Sequence, residues 1–233
     1  MQKTSVVLLP GLLCNAGLFI NQINAFKDQA DFFVPDLGTE GDIRSAAARI
    51  LSQAPEKFVL GGLSMGGYVA LEIMRQAPER VSKLILMDTS AAPDAPQKRE
   101  SRLKGIEFAR KNGLEPLIKA ALLDIVAPEN RANEMLKAVL EHMALSTGVE
   151  GYVNEQNIIM SRPDSRPDLA KISCPTLVFG GEKDALTPPE SMKEIADAIP
   201  GAVHATVGKA GHLSPLEAPR AVNALFKTFL FQP

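Results

Sequence analysis

Apolar residues fall along the chain in two alternating rhythms. Short, mostly unbroken apolar runs occupy residues 5–9, 32–35, 58–61, 84–88, 176–180 and 203–207. Unbroken apolarity is the pattern of parallel strands buried on both faces, whereas a half-exposed strand would alternate. Between the runs, apolar positions recur three or four apart. Phe19, Ile23 and Phe26 share one helical face, and Ile43, Ala47, Ile50 and Leu51 share another, with Asp42 placed to cap it. A later helix is predicted from Thr187-Pro188-Pro189-Glu190, a capping-box spacing, and would bury Met192, Ile195, Ala196 and Ile199. The last helix starts near Pro219 and carries Val222, Leu225, Phe226 and Phe229. Strand and helix in alternation predict an α/β layered sheet of about six mostly parallel strands.

The rhythm breaks once. Residues 91–172 contain no convincing strand and read as helices over about 97–112, 114–125, 129–145 and 148–161. Pro93 and Pro96 mark where this stretch begins, and the run from Arg162 to Pro167 marks where it ends. It is expected to be a helical cap, or lid, inserted into a core formed by residues 1–90 and 173–233. Its apolar residues include Phe108, Leu122, Met135, Leu136, Met143 and Met160. Most would pack the lid, and one or two would line a pocket. The basic residues around Lys98, Arg99, Arg102, Lys104, Arg110 and Lys111 alternate with Glu100 and Glu107 and read as a solvated helix face.

Composition narrows the class without adding chemistry. The 233 residues suit one domain with an insertion. A net charge of -2 argues against a nucleic-acid partner. No apolar run approaches the ~20 residues that span a bilayer. Residues 5–14 faintly resemble a signal peptide, but Pro10-Gly11 splits the run and no small-x-small site follows. Two cysteines, Cys14 and Cys174, make neither a disulfide framework nor a metal cluster. A reducing compartment, the cytoplasm, is the expectation.

Chemistry concentrates in Gly62-Leu63-Ser64-Met65-Gly66, a Gly-x-Ser-x-Gly motif. The bare pattern is common, but here an apolar run leads into it and a helical pattern through Val69, Ala70, Ile73 and Met74 follows. That strand–turn–helix context makes a nucleophile elbow, in which the turn lifts Ser64 Oγ clear of the sheet. Serine needs a base to take its proton. Of three histidines, His142 falls in the insertion and His204 within a strand pattern. His212 follows the last strand, where sites form in open α/β sheets, and is the expected base. The base needs an acid to fix its tautomer. Asp184, after the penultimate strand, is favoured over Asp88, with Glu182 the fallback in the same loop; Asp36 reads as a turn residue. The oxyanion donors are expected to be the backbone N–H groups of Met65 and Leu12.

Further segments carry a family resemblance: Leu8-Leu9-Pro10-Gly11, Ala77-Pro78-Glu79-Arg80-Val81, Cys174-Pro175-Thr176-Leu177-Val178, Gly181-Glu182-Lys183-Asp184, and finally the two groups Ile199-Pro200-Gly201-Ala202 and residues 211–219 from Gly211-His212 to Ala218-Pro219. With the elbow, they resemble the α/β-hydrolase superfamily across nearly the whole chain. The last groups are similar to small microbial carboxylesterases and enol-lactone hydrolases with a helical cap. The resemblance implies a Ser64–His212–Asp184 triad, a metal-free mechanism and a cap that shapes the pocket. Two departures stand out. Pro10-Gly11 replaces the usual His-Gly of the oxyanion loop. The first strand starts near residue 5, so the N-terminal antiparallel strand pair is expected to be missing. The uncovered sheet edge would favour pairing with another chain, and a homodimer is one expected arrangement.

The function expected is hydrolysis of a carboxylic ester, lactone or thioester of a small, largely apolar substrate through an acyl-enzyme. The alternatives are a C–C bond hydrolase, a cofactor-free oxygenase or lyase on the same fold, and a small-molecule receptor without turnover.

Overall fold

The structure is a computed structural model describing residues 3–121 and 124–231. Six strands form one sheet: β1 Thr4–Leu9, β2 Ala30–Phe33, β3 Phe58–Leu63, β4 Val81–Met87, β5 Thr176–Gly181 and β6 Val203–Val207. Their order is β2-β1-β3-β4-β5-β6, and every neighbouring pair is parallel. Among the described residues, ten α-helices accompany them: α1 Ile20–Phe26, α2 Ile43–Gln53, α3 Met65–Gln76, α4 Pro96–Asn112, α5 Glu115–Ala121, α6 Glu134–Ser161, α7 Arg166–Leu169, α8 Pro189–Ala198, α9 Ser214–Glu217 and α10 Pro219–Phe231.

The unbroken apolar runs are explained by the two faces of the sheet. Val7, Leu9 and Leu60 pack with α2, α3 and α8. Their neighbours Val6, Leu8 and Val59 pack with α1 and α10 on the other side. A strand covered on both faces has no position for a polar side chain. Each fully buried Val or Leu contributes roughly 1.5–3 kcal/mol. The strand order reverses at β1, which pairs with β2 on one side and β3 on the other. The crevice at the carboxyl ends of β1 and β3 is therefore the switch point of the sheet.

Several boundaries moved. The second strand runs from Ala30 to Phe33, two residues upstream of its expected place. Pro35 cannot donate to a ladder, and exposed Asp31, paired with Lys3 at 3.2 Å, masks the strand in an apolar scan. Asp42 does cap α2, accepting from the Arg44 and Ser45 N–H groups at 3.0 Å each. Thr187 does not cap α8, which starts at Pro189 behind Pro188 with no side-chain cap.

Between β4 and β5 the described residues of 91–172 are helices and turns, without a strand. The expected break between the third and fourth helices falls at Gly148, whose φ of 70° interrupts α6. The third helix starts later than expected, at Glu134, because the Asn133 side chain caps it by accepting from the Leu136 N–H. A 3₁₀ turn, Pro128–Asn130, takes the place of its first residues. The second helix is described as Glu115–Ala121, and Leu122 lies outside the described residues. Short α7 sits where only a loop was expected. The ends of the segment meet where the Ser165 N–H donates to the Ala91 carbonyl at 2.9 Å. Its inner cluster, including Ile106, Ile118 and Val153, also packs on Leu12 and Leu13 of the loop after β1.

Candidate active site

Ser64 sits between β3 and α3 with φ 54° and ψ -115°. A serine there stores roughly 1–3 kcal/mol of backbone strain, so its surroundings must enforce it. They do so through close backbone approach. A Cβ on Gly62 would meet the Gly66 carbonyl oxygen at 2.3 Å, and one on Gly66 would meet the Leu9 carbonyl oxygen at 2.0 Å. Only glycine fits at either place, as the sequence motif implied. The Ser64 N–H donates to Met87 O at 3.0 Å, and the Thr89 hydroxyl donates to Ser64 O at 2.7 Å.

The loops after β5 and β6 bring two more groups to this elbow. Ser64 Oγ and His212 Nε2 are 2.8 Å apart, and His212 Nδ1 lies 2.8 Å from Asp184 Oδ2. Asp184 is heavily served: it accepts from Leu186 N–H at 2.8 Å, Thr187 N–H at 3.0 Å and the Thr187 hydroxyl at 2.6 Å. Burial would raise its pKa, but these donors and His212 hold it below the ordinary carboxylate value. Burial alone would lower the His212 pKa. The Asp184 hydrogen bond and charge outweigh it, and the histidine is raised. Thr187 was read as a helix cap; its hydroxyl instead orients the acid and stands 3.2 Å from His212 Nδ1.

Glu217 fixes the His212 loop. One of its oxygens accepts from the Gly211 and Leu213 N–H groups at 3.0 and 3.1 Å, on either side of the histidine. The other accepts from the Ala127 N–H and the Asn130 side chain at 2.7 and 2.8 Å. The His212 N–H donates to Ile125 O at 2.8 Å, so the inserted segment also holds the loop. Glu217 lies five residues after His212 in α9, within the 211–219 segment that carried the resemblance, but nothing local marked it as the brace of the loop.

The competing candidates are occupied elsewhere. Asp88, fully buried with φ 42°, accepts from the Gly181 N–H at 2.7 Å and the Ser214 hydroxyl at 2.6 Å. It ties β4 to β5 and to the helix after His212. Burial first, with Asp184 nearby, pushes its pKa up to about 7 although His212 and its two donors act to lower it. Glu182 is exposed and accepts only from the Lys209 N–H, at 3.4 Å. Asp36 is a turn residue, accepting from the Gly38 N–H at 2.8 Å. His142 is exposed in α6, and His204 is exposed on edge strand β6.

Met65 is the first residue of α3, where a helix leaves its N–H groups without intrahelical partners. Leu12 lies in the turn after β1, beside Leu13 at φ 59°. The Leu13 N–H donates to Glu155 Oε2 at 2.8 Å, and the Cys14 N–H to Gly11 O at 3.1 Å. Glu155 belongs to α6, so this helix braces the loop after β1. Burial pushes its pKa up to about 8; the Leu13 N–H lowers it and Asp36 raises it further. Between about pH 4.5 and 8 the folded state therefore holds a proton that the unfolded chain releases, and stability falls as pH rises through that window. Glu155→Gln, which keeps an acceptor for Leu13, should remove this slope. It should stabilise the protein above pH 8 by on the order of 5 kcal/mol. Urea unfolding of both proteins at pH 5.5 and 8.5 checks this, and parallel pH profiles would contradict it.

Ser64, His212, Gly11 and Leu12 open into a cavity of about 670 Å³. Leu117, Ile118, Leu140, Met143 and Ile159 supply an apolar wall. One or two of the apolar residues named in the segment were expected to line a pocket, and among the described ones Met143 lines this cavity. Phe108 and Met135 point to solvent, Leu136 joins the core packed against the sheet, and Met160 packs inside the segment. Helical spacing does not tell an inner face from an outer one when both are apolar. Part of the basic face read as solvated also turns inward: Lys98 and Arg102 line the cavity with Asp94 and Arg162. Among the described residues, no group of three or more His, Cys, Asp or Glu could hold a metal ion. Cys14 and Cys174 are free thiols, and no described helix is long and apolar enough to cross a membrane.

Comparison with known proteins shows the family. Residues 6–225 match the alpha/beta hydrolase family. The chain is 31% identical over 197 residues to BpoC of Mycobacterium tuberculosis, named as a non-heme bromoperoxidase, covering 79% of this chain and 72% of that one. It is 29% identical over 235 residues to the pimeloyl-(acyl-carrier protein) methyl ester esterase of Pectobacterium atrosepticum, covering 94% and 91%. A malate-bound structure of a thermophilic esterase from Thermogutta terrifontis superposes with a TM-score of 0.91 at 31% identity, covering 98% of this chain and 90% of that one.

Proposed function

The chain belongs to the alpha/beta hydrolase family, and from that premise we propose that it hydrolyses a carboxylic ester, lactone or thioester through an acyl-enzyme on Ser64. One observation carries the reading: the unbroken run of 2.8 Å contacts from Ser64 Oγ through His212 to Asp184, set at a strained elbow. His212 Nε2 takes the Ser64 proton as Oγ attacks the carbonyl carbon, and Asp184 stabilises the imidazolium that forms. The N–H groups of Met65 and Leu12 receive the oxyanion, a contribution of roughly 2.7–4 kcal/mol per donor in comparable sites. His212 then protonates the leaving alcohol or thiol. Water, activated by the same histidine, releases the acid and restores Ser64.

Residues 91–172 act in this reading as the lid, supplying the apolar wall and bracing both the Leu12 and the His212 loops. The reaction uses no metal or organic cofactor and takes place in the cytoplasm. A fluorophosphonate should add its phosphonyl group to the protein, on the tryptic peptide that contains Ser64, and block turnover of short-chain p-nitrophenyl esters. Steady-state turnover should follow a burst of p-nitrophenol wherever deacylation is slow. An unlabelled Ser64 peptide together with undiminished turnover would remove the serine mechanism and favour an oxygenase or lyase reaction on this fold.

A further inference from the structure

Opposite the apolar wall, the cavity carries more positive charge than an ester of an ordinary fatty acid requires. Its lining includes three cations, Lys98, Arg102 and Arg162, against one carboxylate, Asp94. The two arginines are built in. Arg102 grips Asp94 with Nε at 2.5 Å and Nη2 at 3.3 Å, and its Nη1 donates to Gln156 at 2.9 Å. Arg162 gives Nη2 to Asp94 at 2.8 Å and its other nitrogens to the carbonyls of Ala92 and Ile159, each at 3.0 Å. Its guanidinium stacks 4.1 Å from the ring centroid of Tyr68.

Each guanidinium has five N–H donors, and these bonds engage three of them in each. Asp94 neutralises one positive charge of the pair; among the described residues the cavity lining offers the other charge no second carboxylate, only neutral polar groups such as Tyr68 and Gln156 and aliphatic side chains. Burying a net charge is costly unless something compensates it. A purely structural ion pair would need only one arginine. The cluster is also close to the chemistry. Tyr68 lies four residues beyond Ser64 in α3, a rise of only ~6 Å along the helix.

We infer that the substrate carries a carboxylate at the end remote from its scissile ester, held by Arg102 and Arg162 with Lys98 at the rim. The N–H donors that Asp94, Gln156 and the two carbonyls leave unused can receive a second carboxylate, the partner guanidinium groups favour. The apolar wall would hold the short chain between the two ends. This inference rests on the ester-hydrolase reading and adds a substrate class to it.

The test compares methyl half-esters of straight-chain dicarboxylic acids with methyl esters of the monocarboxylic acids of equal length, over four to eight carbons. For at least one length the half-ester should have a kcat/KM higher by about tenfold to a hundredfold, most of it in KM. Arg102→Gln should bring that ratio close to one, Arg102→Lys should restore part of it, and added salt should reduce it. Asp94→Asn should raise the ratio, because it removes the competing carboxylate. An arginine pair with only a structural role would leave the ratio unchanged in Arg102→Gln, as long as thermal melting shows that variant folded. Equal rates on charged and neutral esters at every length would overturn the inference while leaving the hydrolase reading intact. A preference for ω-phosphorylated esters over half-esters would overturn the carboxylate assignment. No hydrolysis of any ester, lactone or thioester would remove the underlying reading instead.

Discussion

Ser64→Ala should lower kcat on p-nitrophenyl esters by at least ten-thousand-fold and leave the protein folded. The size follows from the way the group acts. In comparable Ser–His–Asp sites, loss of the nucleophile costs about 10⁶ in kcat, because His212 and Asp184 have no proton to move without it. The residual rate would come from binding and the oxyanion donors alone. The fold should tolerate the change because the strained φ of 54° is imposed by Gly62, Gly66 and the Ser64 N–H bond to Met87, none of which uses the hydroxyl. Alanine has the same Cβ and the same backbone preference against positive φ, so the strain is nearly unchanged. Steady-state rates alongside thermal melting decide the matter. A folded Ser64→Ala protein with near-wild-type turnover would end the serine-nucleophile reading.

The same physics explains what could be read from the sequence and what could not. The central strands were legible because two-sided burial leaves no polar position in Val6–Leu9 or Phe58–Leu63, and β2 blurred where Asp31 reaches solvent. The elbow was legible because Gly62 and Gly66 are demanded by backbone contact, which shows directly in residue type. Side chains that work across the fold left no local trace. Thr187 fits a capping box as well as it fits a bond to Asp184, and only the loop after β5 decides which acceptor it meets. Glu155 and Leu13 are 142 residues apart. Arg102 lies in a stretch with alternating charges, and a surface helix has that same pattern. Its inward turn depends on Asp94 and Gln156, which the local pattern does not reveal.

Asp184→Asn and Asp88→Asn, made side by side, should separate two buried aspartates that the sequence alone could only rank. Asp184→Asn should cost about 10²–10⁴ in kcat, since an amide facing His212 Nδ1 supports the wrong tautomer and offers no negative charge to the imidazolium. It should also move the pH profile. In the wild type the acid limb of kcat/KM should lie above the ordinary histidine pKa, because Asp184 raises His212 more than burial lowers it. Without that charge, burial dominates, so the limb should shift to lower pH even as the plateau falls. Asp88→Asn should behave differently. Its oxygen can still accept from the Gly181 N–H, and its amide can donate to the Ser214 hydroxyl, so the brace between β4, β5 and the His212 loop survives. Less than a tenfold loss in kcat is expected. The like charge near Asp184 also disappears, so the acid limb should move only slightly, downward, as one of the groups that raise His212 is lost. A larger loss at Asp88 than at Asp184, or an acid limb that stays put in Asp184→Asn, would mean that the short contact between Asp184 and His212 does not govern the proton.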